Sequence, residues 1–239
     1  MSPHPRDISP LDLDVMFALT PHGDALRELV ACGRERIGFF PAHNPRALEY
    51  PWVLASLPAQ LAGLRILDVG AGVNPLPFAL ARRGARVVTM DNHPLQRNPA
   101  QREEWNEWGF LDYSQVDARI ASLHVAYEES PDSMGFDCIY SVSVIEHLPC
   151  AVRRTWMRKF AAQLPSDGML LLTIDLIPGT NLLWNLSEGM VVEPTGVHGE
   201  ISSLLEELEA AGFAAEPASI QRGIPDSRVD IGFIRAIRH

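Results

Sequence analysis

The chain has 239 residues, of which 30 are acidic and 20 are basic, so its formal net charge is −10 at pH 7. Hydrophobic residues make up 46% of the sequence, which is typical of a packed globular protein and excludes disorder throughout the chain. The acidic excess argues against a nucleic-acid partner, because affinity for phosphates comes largely from lysine and arginine. The oligomeric state stays open.

Cysteine usage and hydropathy bear on the compartment in which the protein works. Cys32, Cys138 and Cys150 show no CxxC spacing, so we expect neither a disulfide framework nor a structural zinc site. Residues 1–10 lack the apolar stretch of a signal peptide, and no apolar run approaches the ~20 residues that span a bilayer. The sequence therefore predicts a soluble, cytoplasmic protein without membrane contact.

The first 60 residues predict a leader and a helical extension in front of the main domain. Residues 1–20 are expected to form a loose leader. Five apolar residues of this leader could dock on a core: Ile8, Leu11, Leu13, Val15 and Phe17. Helical spacing predicts one helix over residues 24–39 and another over residues 46–62, the second interrupted near Pro51 and Pro58.

Residues 61–239 predict strands that alternate with helices. Strands are expected at 64–69, 86–90, 136–141 and 169–174, followed by a final pair at 213–220 and 228–237. Helices are expected at 76–83, 151–164 and 201–211, and a further, poorly defined strand lies in the region 113–117. This alternation is typical of βαβ units, so we predict an α/β domain with a mainly parallel sheet.

The sharpest local signal is the turn after the first strand, within Ile66-Leu-Asp-Val-Gly-Ala-Gly-Val-Asn-Pro75. Gly70 and Gly72 permit a tight turn and let a ligand approach the main chain. Asn74 is expected to cap the next helix, with Pro75 as its first residue and with free N–H groups facing the ligand. A dinucleotide fingerprint would place glycine where Pro75 stands, and no Walker sequence follows. The turn therefore favours a nucleoside ligand without a pyrophosphate.

The second predicted strand ends in a carboxylate, Asp91, which lies 23 residues after Asp68. This spacing is close to the ~20-residue offset at which an acidic residue binds ribose hydroxyls in nucleotide-binding βαβ units. A carboxylate can accept charge-assisted hydrogen bonds from both hydroxyls of a diol. The alternative is that Asp91 only caps a turn.

Taken together, these segments resemble the class I S-adenosylmethionine-dependent methyltransferases. The matching stretches are Leu67-Asp-Val-Gly-Ala-Gly72, Thr89-Met-Asp91, Gln115-Val-Asp-Ala118 and Phe136-Asp-Cys-Ile-Tyr-Ser-Val-Ser-Val-Ile-Glu-His-Leu148. They occur in the family's order and at its spacing. The resemblance implies a Rossmann-like methyltransferase fold, which is a doubly wound, mainly parallel seven-stranded sheet whose last strand is antiparallel. It also implies S-adenosylmethionine as methyl donor and S-adenosylhomocysteine as product.

The same resemblance implies cofactor contacts for eight residues. They would contact the methionine end of the cofactor (Asp68, Gly70, Gly72, Ser141 and Val142), its ribose (Asp91) and its adenine (Asp117 and Ala118). Asp117 could instead be an ordinary solvated aspartate in a loop.

Glu146 and His147 follow the fourth predicted strand and are candidates for the chemistry. Histidine titrates near neutrality, so His147 could act as the general base, and Glu146 could orient it or contact the substrate. His147 could alternatively cap the next helix. With His198 the pair could also bind a divalent metal, but Ser143 stands where small-RNA 2′-O-methyltransferases have their first glutamate, so we expect no metal.

Several other features keep two interpretations each. The segment 177–200 could be a lid or an oligomer contact, and Tyr50-Pro-Trp52 could cover the cofactor or anchor the core. Trp105 and Trp108, three residues apart on a predicted helix, favour core packing over ligand stacking. A basic cluster in the extension could attract an anionic acceptor or form a solvated helix face: Arg34, Arg36 and Arg46.

We predict from these observations an S-adenosylmethionine-dependent methyltransferase that acts on a small-molecule or glycan-like acceptor, at oxygen. Two alternatives stay open. One is a methyltransferase for a macromolecule, either protein or RNA. The other is a non-catalytic, cofactor-binding interaction module.

Overall fold

The computed structural model describes residues 4–184 and 198–239. The chain divides into two compact units, Met1–Tyr127 and Glu128–His239. The boundary predicted near residue 60 stays a prediction. Among the described residues, no helix combines the length and the apolar character that a membrane span requires.

Helix α1 (Pro10–Leu19) occupies the region that was expected to be a loose leader, so that prediction is wrong. Ser9 caps the helix, because its side-chain oxygen accepts the N–H of Asp12 at 3.1 Å, and Pro10 is the first helical residue. Ile8 is buried as expected, whereas Leu11 is 75% exposed. The cap sequence was the signal that could have predicted this helix.

Helices α2 (Gly23–Arg36) and α3 (Arg46–Ala55) confirm the predicted helical extension, although both end earlier than expected. α2 buries a stripe that includes Leu26, Leu29 and Val30, which lie on one helical face at the spacing of an amphipathic helix. α3 contains Pro51 in its interior and ends before the predicted limit at residue 62.

Three parallel strands and one helix complete the first unit: β1 (Arg65–Val69), α4 (Leu76–Arg82), β2 (Arg86–Asp91) and β3 (Ile120–His124). β2 lies between β1 and β3, and Asp91 is paired directly with His124. Because parallel strands end at the same edge of a sheet, the ends of β1, β2 and β3 lie side by side.

The strand predicted near residues 113–117 is wrong. Tyr113–Gln115 is a 3-10 turn, which Asp112 begins by accepting the N–H of Ser114 at 3.1 Å. The strand itself starts at Ile120. Turn chemistry at Asp112 therefore overrides the weak β pattern of this region.

The second unit contains five described strands and two described helices. In chain order these are β4 (Cys138–Val142), α5 (Cys150–Gln163), β5 (Met169–Leu176), α6 (Ile201–Ala210), β6 (Phe213–Ala215), β7 (Ser219–Gln221) and β8 (Asp230–Arg238). β4 pairs with β5 in parallel, and β8 is antiparallel to β5. Both β6 and β7 pair antiparallel with β8.

The predicted α/β class and the antiparallel last strand are confirmed. The described strands number eight rather than seven, because the strand expected at residues 213–220 is divided into β6 and β7. β4 and β5 are buried along nearly their whole length, as continuous apolar runs in a parallel pair predict.

Candidate functional site

The glycine turn connects β1 to α4 and has the left-handed backbone that its sequence predicts. Gly70 and Gly72 have φ angles of 75° and 54°, which favour glycine because a side chain there is strained. A Cβ on Gly72 would also lie 2.6 Å from the carbonyl oxygen of Glu107. Glycine at this position is therefore required by the protein's own packing, in addition to any requirement of a ligand.

Asp91 lies at the end of β2 and is hydrogen-bonded to the glycine turn. Its Oδ2 accepts the N–H of Gly72 at 2.8 Å, and its Oδ1 accepts the N–H of His93 at 2.7 Å. Each carboxylate oxygen can accept two hydrogen bonds, so each keeps one acceptor site. The half-buried carboxylate thus caps a turn, as one alternative predicted, and retains the acceptors that a ribose diol needs.

The N–H groups of the glycine turn and of Leu76, which were expected to face a ligand, have partners within the protein. Pro75 has no backbone N–H, and every other residue from 70 to 76 donates its N–H to an acceptor in the same unit. The acceptors are Met90 O for Gly70 and Ala71, Asp91 for Gly72, Glu107 O for Val73, Tyr113 for Asn74 and the Asn74 side chain for Leu76. α4 begins at Leu76, as the range 76–83 predicts, and Pro75 directly precedes it. Asn74 does cap the helix start, because its Oδ1 accepts the Leu76 N–H at 2.8 Å.

Asp68, the fourth residue of β1, is buried beneath the glycine turn with 2% of its surface exposed. Its Oδ2 accepts a hydrogen bond from Nδ2 of Asn74 at 3.2 Å, and the same amide donates to the carbonyl oxygen of Ala71 at 2.6 Å. Asp68 therefore supports the turn through Asn74. Its contact with the methionine end of a cofactor stays a prediction.

Asp117 and Ala118 precede β3, whereas Gly70 and Asp91 follow or end β1 and β2. The five residues of β3, at ~3.3 Å each, separate the two edges of the parallel sheet. The carboxylate of Asp117 is also bound by Arg119, with Nε 2.8 Å from Oδ1, and this hydrogen bond lowers the pKa of Asp117. The position of both residues before β3 does not support the expected contact with the adenine, which rested on the misplaced third strand and stays a prediction.

His124 is the residue that ends β3 beside Asp91. Its imidazole stacks on Phe110, with ring centroids 4.2 Å apart, and its Nε2 lies 3.0 Å from the carbonyl oxygen of His93. The sequence did not point to His124, because the segment Ile120–His124 has only two large apolar residues and weak alternation. A correct prediction of the third strand at Ile120–His124 would have identified His124 as the residue at its carboxyl end.

In the second unit, the end of β4 leads into a strained turn. Ser141 is fully buried, Val142 is half-buried and Ser143 has a φ of 50°, which is uncommon outside glycine. Ser143 donates its N–H to the carbonyl oxygen of Thr173 and its hydroxyl to Oδ1 of Asp175, both at 3.0 Å. These two bonds to β5 hold the left-handed conformation. The cofactor contacts expected of Ser141 and Val142 stay predictions.

Glu146 and His147 lie in a short 3-10 turn, Ile145–His147, directly after this segment. Glu146 is completely buried and its Oε1 accepts the N–H of Asp175 at 3.1 Å, whereas the side chain of His147 is 42% exposed. Nε2 of His147 lies 3.9 Å from Oε1 of Glu146. That separation exceeds a hydrogen bond but lets the carboxylate attract a protonated imidazole.

His198, the third candidate metal ligand, contacts the main chain of Glu146. Nδ1 of His198 lies 2.9 Å from the carbonyl oxygen of Glu146. Across residues 4–184 and 198–239, no cluster of three or more histidine, cysteine, aspartate or glutamate side chains is suited to a metal ion.

A buried ion pair next to this turn was not anticipated from the sequence. Arg153 of α5 is fully buried and donates from Nε to Oε2 of Glu207 on α6 at 2.6 Å. Its Nη1 donates to the carbonyl oxygen of His198 at 2.8 Å and to that of Leu148 at 3.3 Å. Because Leu148 follows His147 directly, Arg153 joins the Glu146–His147 turn to α6.

A cavity of about 790 Å³ lies between α5 and α6. Arg154 and Arg158 line one wall, and Ser203 and Glu206 line the other. Neither Glu146 nor His147 lines it, so the cavity does not mark the predicted chemistry.

The remaining candidate features have ordinary structural roles where the structure describes them. Each arginine of the predicted basic cluster has an acidic partner: Asp7 for Arg34, Glu35 for Arg36 and Glu49 for Arg46. Trp105 is buried and donates to the carbonyl oxygen of Asn98, and Trp108 is 58% exposed; neither lies on an α-helix. Of the segment 177–200, residues 185–197 lie outside the described residues, so the choice between lid and interface stays open.

The three cysteines are free, and two of them are buried. Burial raises the pKa of the Cys32 thiol to about 11 and that of Cys138 to about 12, so neither is a reactive thiolate at neutral pH. Cys150 is half-buried at the start of α5.

The family described as a methyltransferase domain matches residues 40–217, which include the glycine turn, Asp91 and the Glu146–His147 turn. The chain belongs to this family. Among curated members, the ubiquinone biosynthesis O-methyltransferase of Xanthomonas euvesicatoria is 35% identical over 135 residues, which are 56% of this chain and 51% of that protein. The enzyme of the same name from Pseudomonas putida is 32% identical over 164 residues, 67% of this chain and 66% of that protein.

The chain therefore spans between about half and two thirds of these two relatives. Among solved structures, the 1,6-didemethyltoxoflavin-N1-methyltransferase of Burkholderia thailandensis, with bound substrate and S-adenosylhomocysteine, aligns with a TM-score of 0.57 at 15% identity. The alignment covers 100% of this chain and 91% of that one. At this identity the likeness establishes the methyltransferase fold that the sequence predicted.

Proposed function

We propose that this methyltransferase-family protein transfers a methyl group from S-adenosylmethionine to an oxygen atom of a small-molecule acceptor. The observation that carries the proposal is the Asp91 carboxylate, which ends β2, bonds to the glycine turn and keeps two acceptor sites. Family membership supports methyl transfer, and the names of the relatives support oxygen in a small molecule as the acceptor.

The donor set of the first unit fits the nucleoside half of this cofactor. Asp91 would accept the ribose hydroxyls, and Gly70, Gly72 and Asp68 would contact the methionine end. For the adenine we propose His124 and Val125, since β3 ends there beside Asp91. Ligands of open α/β sheets bind at the carboxyl ends of the strands, which supports this choice over Asp117.

The second unit supplies the group that we propose for proton transfer. When bound, S-adenosylmethionine supplies an electrophilic methyl group on a sulfonium sulfur. An acceptor hydroxyl must lose its proton as it attacks, and exposed His147 would take that proton. The carboxyl group of Glu146, whose Oε1 lies 3.9 Å from Nε2 of His147, would stabilise the resulting imidazolium. Ser141 and Val142 would contact the methionine end of the cofactor.

The three free cysteines support a reducing, cytoplasmic setting for the protein.

Two measurements test this function. Calorimetry with S-adenosylhomocysteine tests whether the protein binds the cofactor at all. Transfer of label from methyl-labelled S-adenosylmethionine into a pooled extract, separated into small-molecule, protein and RNA fractions, then tests the acceptor. Label in the small-molecule fraction, on oxygen, is the expected result. Label confined to protein or RNA would contradict the proposed acceptor class, and cofactor binding without transfer would favour a non-catalytic module.

A further inference from the structure

We propose that Tyr113 is a positioning residue for the cofactor, whose hydroxyl holds the glycine turn in the shape that receives the methionine end. This inference rests on the proposed function, because it presumes that the glycine turn binds S-adenosylmethionine. Tyr113 lies in the 3-10 turn before β3, about forty residues from the glycine turn in sequence.

The phenol hydroxyl of Tyr113 bonds to both sides of the turn. It accepts the N–H of Asn74 at 2.8 Å and donates to the carbonyl oxygen of Gly72 at 3.1 Å. The side chain is fully buried, and burial raises the pKa of Tyr113 well above its usual value. The phenol therefore keeps its proton at neutral pH, which lets one oxygen serve as donor and acceptor together.

Gly72 is consequently held from two directions. Its N–H donates to Asp91, and its carbonyl oxygen accepts from Tyr113. The orientation of these two peptide groups, and with them the path of the turn next to the Asp91 carboxylate, thus depends on Tyr113.

Tyr113 is itself anchored to the sheet. Its backbone N–H donates to Oγ of Ser122 in β3 at 2.9 Å, and that oxygen lies 2.9 Å from Oγ1 of Thr89 in β2. A continuous set of hydrogen bonds thus joins β2 and β3 to the turn that follows β1. Packing of the ring against Phe78 needs only a phenyl group, so the hydroxyl has a separate role in the turn.

The variant Tyr113→Phe keeps the ring and removes both hydrogen bonds. We expect its affinity for S-adenosylhomocysteine to fall ~10-fold, because the turn is no longer held in the shape that receives the methionine end and must be ordered when the ligand binds. The ligand 5′-deoxy-5′-methylthioadenosine has the same nucleoside but lacks the amino-acid end. Its affinity should change less than about twofold, since Asp91 and His124 are untouched.

Calorimetry with both ligands on wild type, Tyr113→Phe and the control Tyr140→Phe tests the inference, together with the melting temperature of each ligand-free protein. Tyr140→Phe removes the hydroxyl of another fully buried tyrosine, in β4, and should preserve both affinities. Loss of affinity for S-adenosylhomocysteine alone supports the positioning role. Unchanged affinities in Tyr113→Phe, or equal losses for both ligands, would overturn it.

Failure of the proposed cofactor binding gives a different result, because the wild type would then bind neither ligand, and failure of methyl transfer alone leaves both affinities measurable. A second variant covers the case in which Tyr113→Phe does not fold. Ser122→Ala removes the half-buried hydroxyl that accepts the backbone N–H of Tyr113, and it leaves the phenol in place. We therefore expect the affinity for S-adenosylhomocysteine to fall more than that for 5′-deoxy-5′-methylthioadenosine, as in Tyr113→Phe but by a smaller factor. Equal affinities in Ser122→Ala and wild type would then contradict the inference.

Discussion

Oδ2 of Asp91 and the backbone N–H of Gly72 are 2.8 Å apart, so the carboxylate that ends β2 and the turn that follows β1 form one hydrogen-bonded unit. A substitution at Asp91 therefore acts in two ways on a bound cofactor. It removes acceptors for the ribose and releases the turn that contacts the methionine end.

Asp91→Ala is expected to weaken S-adenosylhomocysteine binding by at least ~10-fold, since each hydrogen bond to a charged group contributes ~1.5–3 kcal/mol. Isothermal titration calorimetry measures the change. The affinity for 5′-deoxy-5′-methylthioadenosine should fall as well, because both ligands contain the ribose. Wild-type affinity for both ligands would exclude Asp91 from the cofactor site.

Asp117→Asn is the matched control, since it changes an aspartate at the opposite end of β3. We expect affinity for S-adenosylhomocysteine within about twofold of wild type, because the Asp117 carboxylate binds Arg119 and lies away from the carboxyl ends of the strands. A large loss of affinity would reinstate Asp117 as an adenine contact.

The Asp117–Arg119 pair also predicts a dependence of stability on pH. The pKa of Asp117 is lowered in the folded protein by the Arg119 hydrogen bond, so its stabilisation is present above the unfolded pKa of about 3.9 and is lost as pH falls through the folded value. Arg119 is half-exposed, which keeps the contribution below about 1 kcal/mol. Urea unfolding should show a difference between wild type and Asp117→Asn at pH 6 that shrinks on acidification below pH 4. A difference that grows on acidification would contradict the assigned direction.

His147→Ala should slow methyl transfer by ~10²–10⁴-fold if the imidazole accepts the proton of the acceptor. Binding of S-adenosylhomocysteine should not change, because none of the proposed cofactor contacts involves His147. Single-turnover rates measured with the acceptor found by labelling, over a range of pH, test this. A near-wild-type rate with an unaltered pH profile would give His147 a structural role only.

Arg153→Met should destabilise the protein by ~3–5 kcal/mol, because the buried carboxylate of Glu207 loses its hydrogen-bonded guanidinium and keeps only the more distant, exposed Arg154, whose Nε lies 3.6 Å from Oε1. The double variant Arg153→Met, Glu207→Met should recover much of this loss. Arg154→Met on the same helix is the comparison, since Arg154 is 64% exposed and pairs with the same carboxylate only at 3.6 Å, where solvent weakens the interaction. The free energy of unfolding in urea measures all three, and equal stability of Arg153→Met and Arg154→Met would contradict the importance of the pair.

Local patterns predicted the first half of the candidate site well. The sequence from Ile66 to Pro75 combines an apolar strand, glycines at left-handed positions and a capping asparagine, and all three signals act within ten residues. The end of β2 at Asp91 follows from an equally compact apolar run. Short-range physics determines such segments, so the sequence alone is enough.

The third strand could not be predicted in this way. β3 has half-buried and exposed residues along most of its length, so its apolar pattern is no stronger than that of the turn before it. The strand exists because it pairs with β2 over five residues, which is a tertiary cause. The adenine assignment of Asp117 and Ala118 rested on that single misplacement.

Long-range hydrogen bonds could not be predicted from the sequence either. Tyr113 and Asn74 are separated by 39 residues, and Arg153 and Glu207 by 54. Nothing near Tyr113 marks its hydroxyl for the glycine turn, because the partners are backbone groups that carry no sequence signature. The same holds for Arg153, whose carbonyl partners are Leu148 and His198.

The saturated N–H groups of the glycine turn have a consequence for how a ligand arrives. The turn completes its hydrogen bonds with the protein's own atoms, so its conformation does not depend on a ligand to order it. Association then loses little chain entropy, and a rigid, preformed turn favours affinity through a small ordering cost. The glycine turn would thus have its ligand-binding conformation before the cofactor binds, because folding of the protein already removes the turn's conformational freedom.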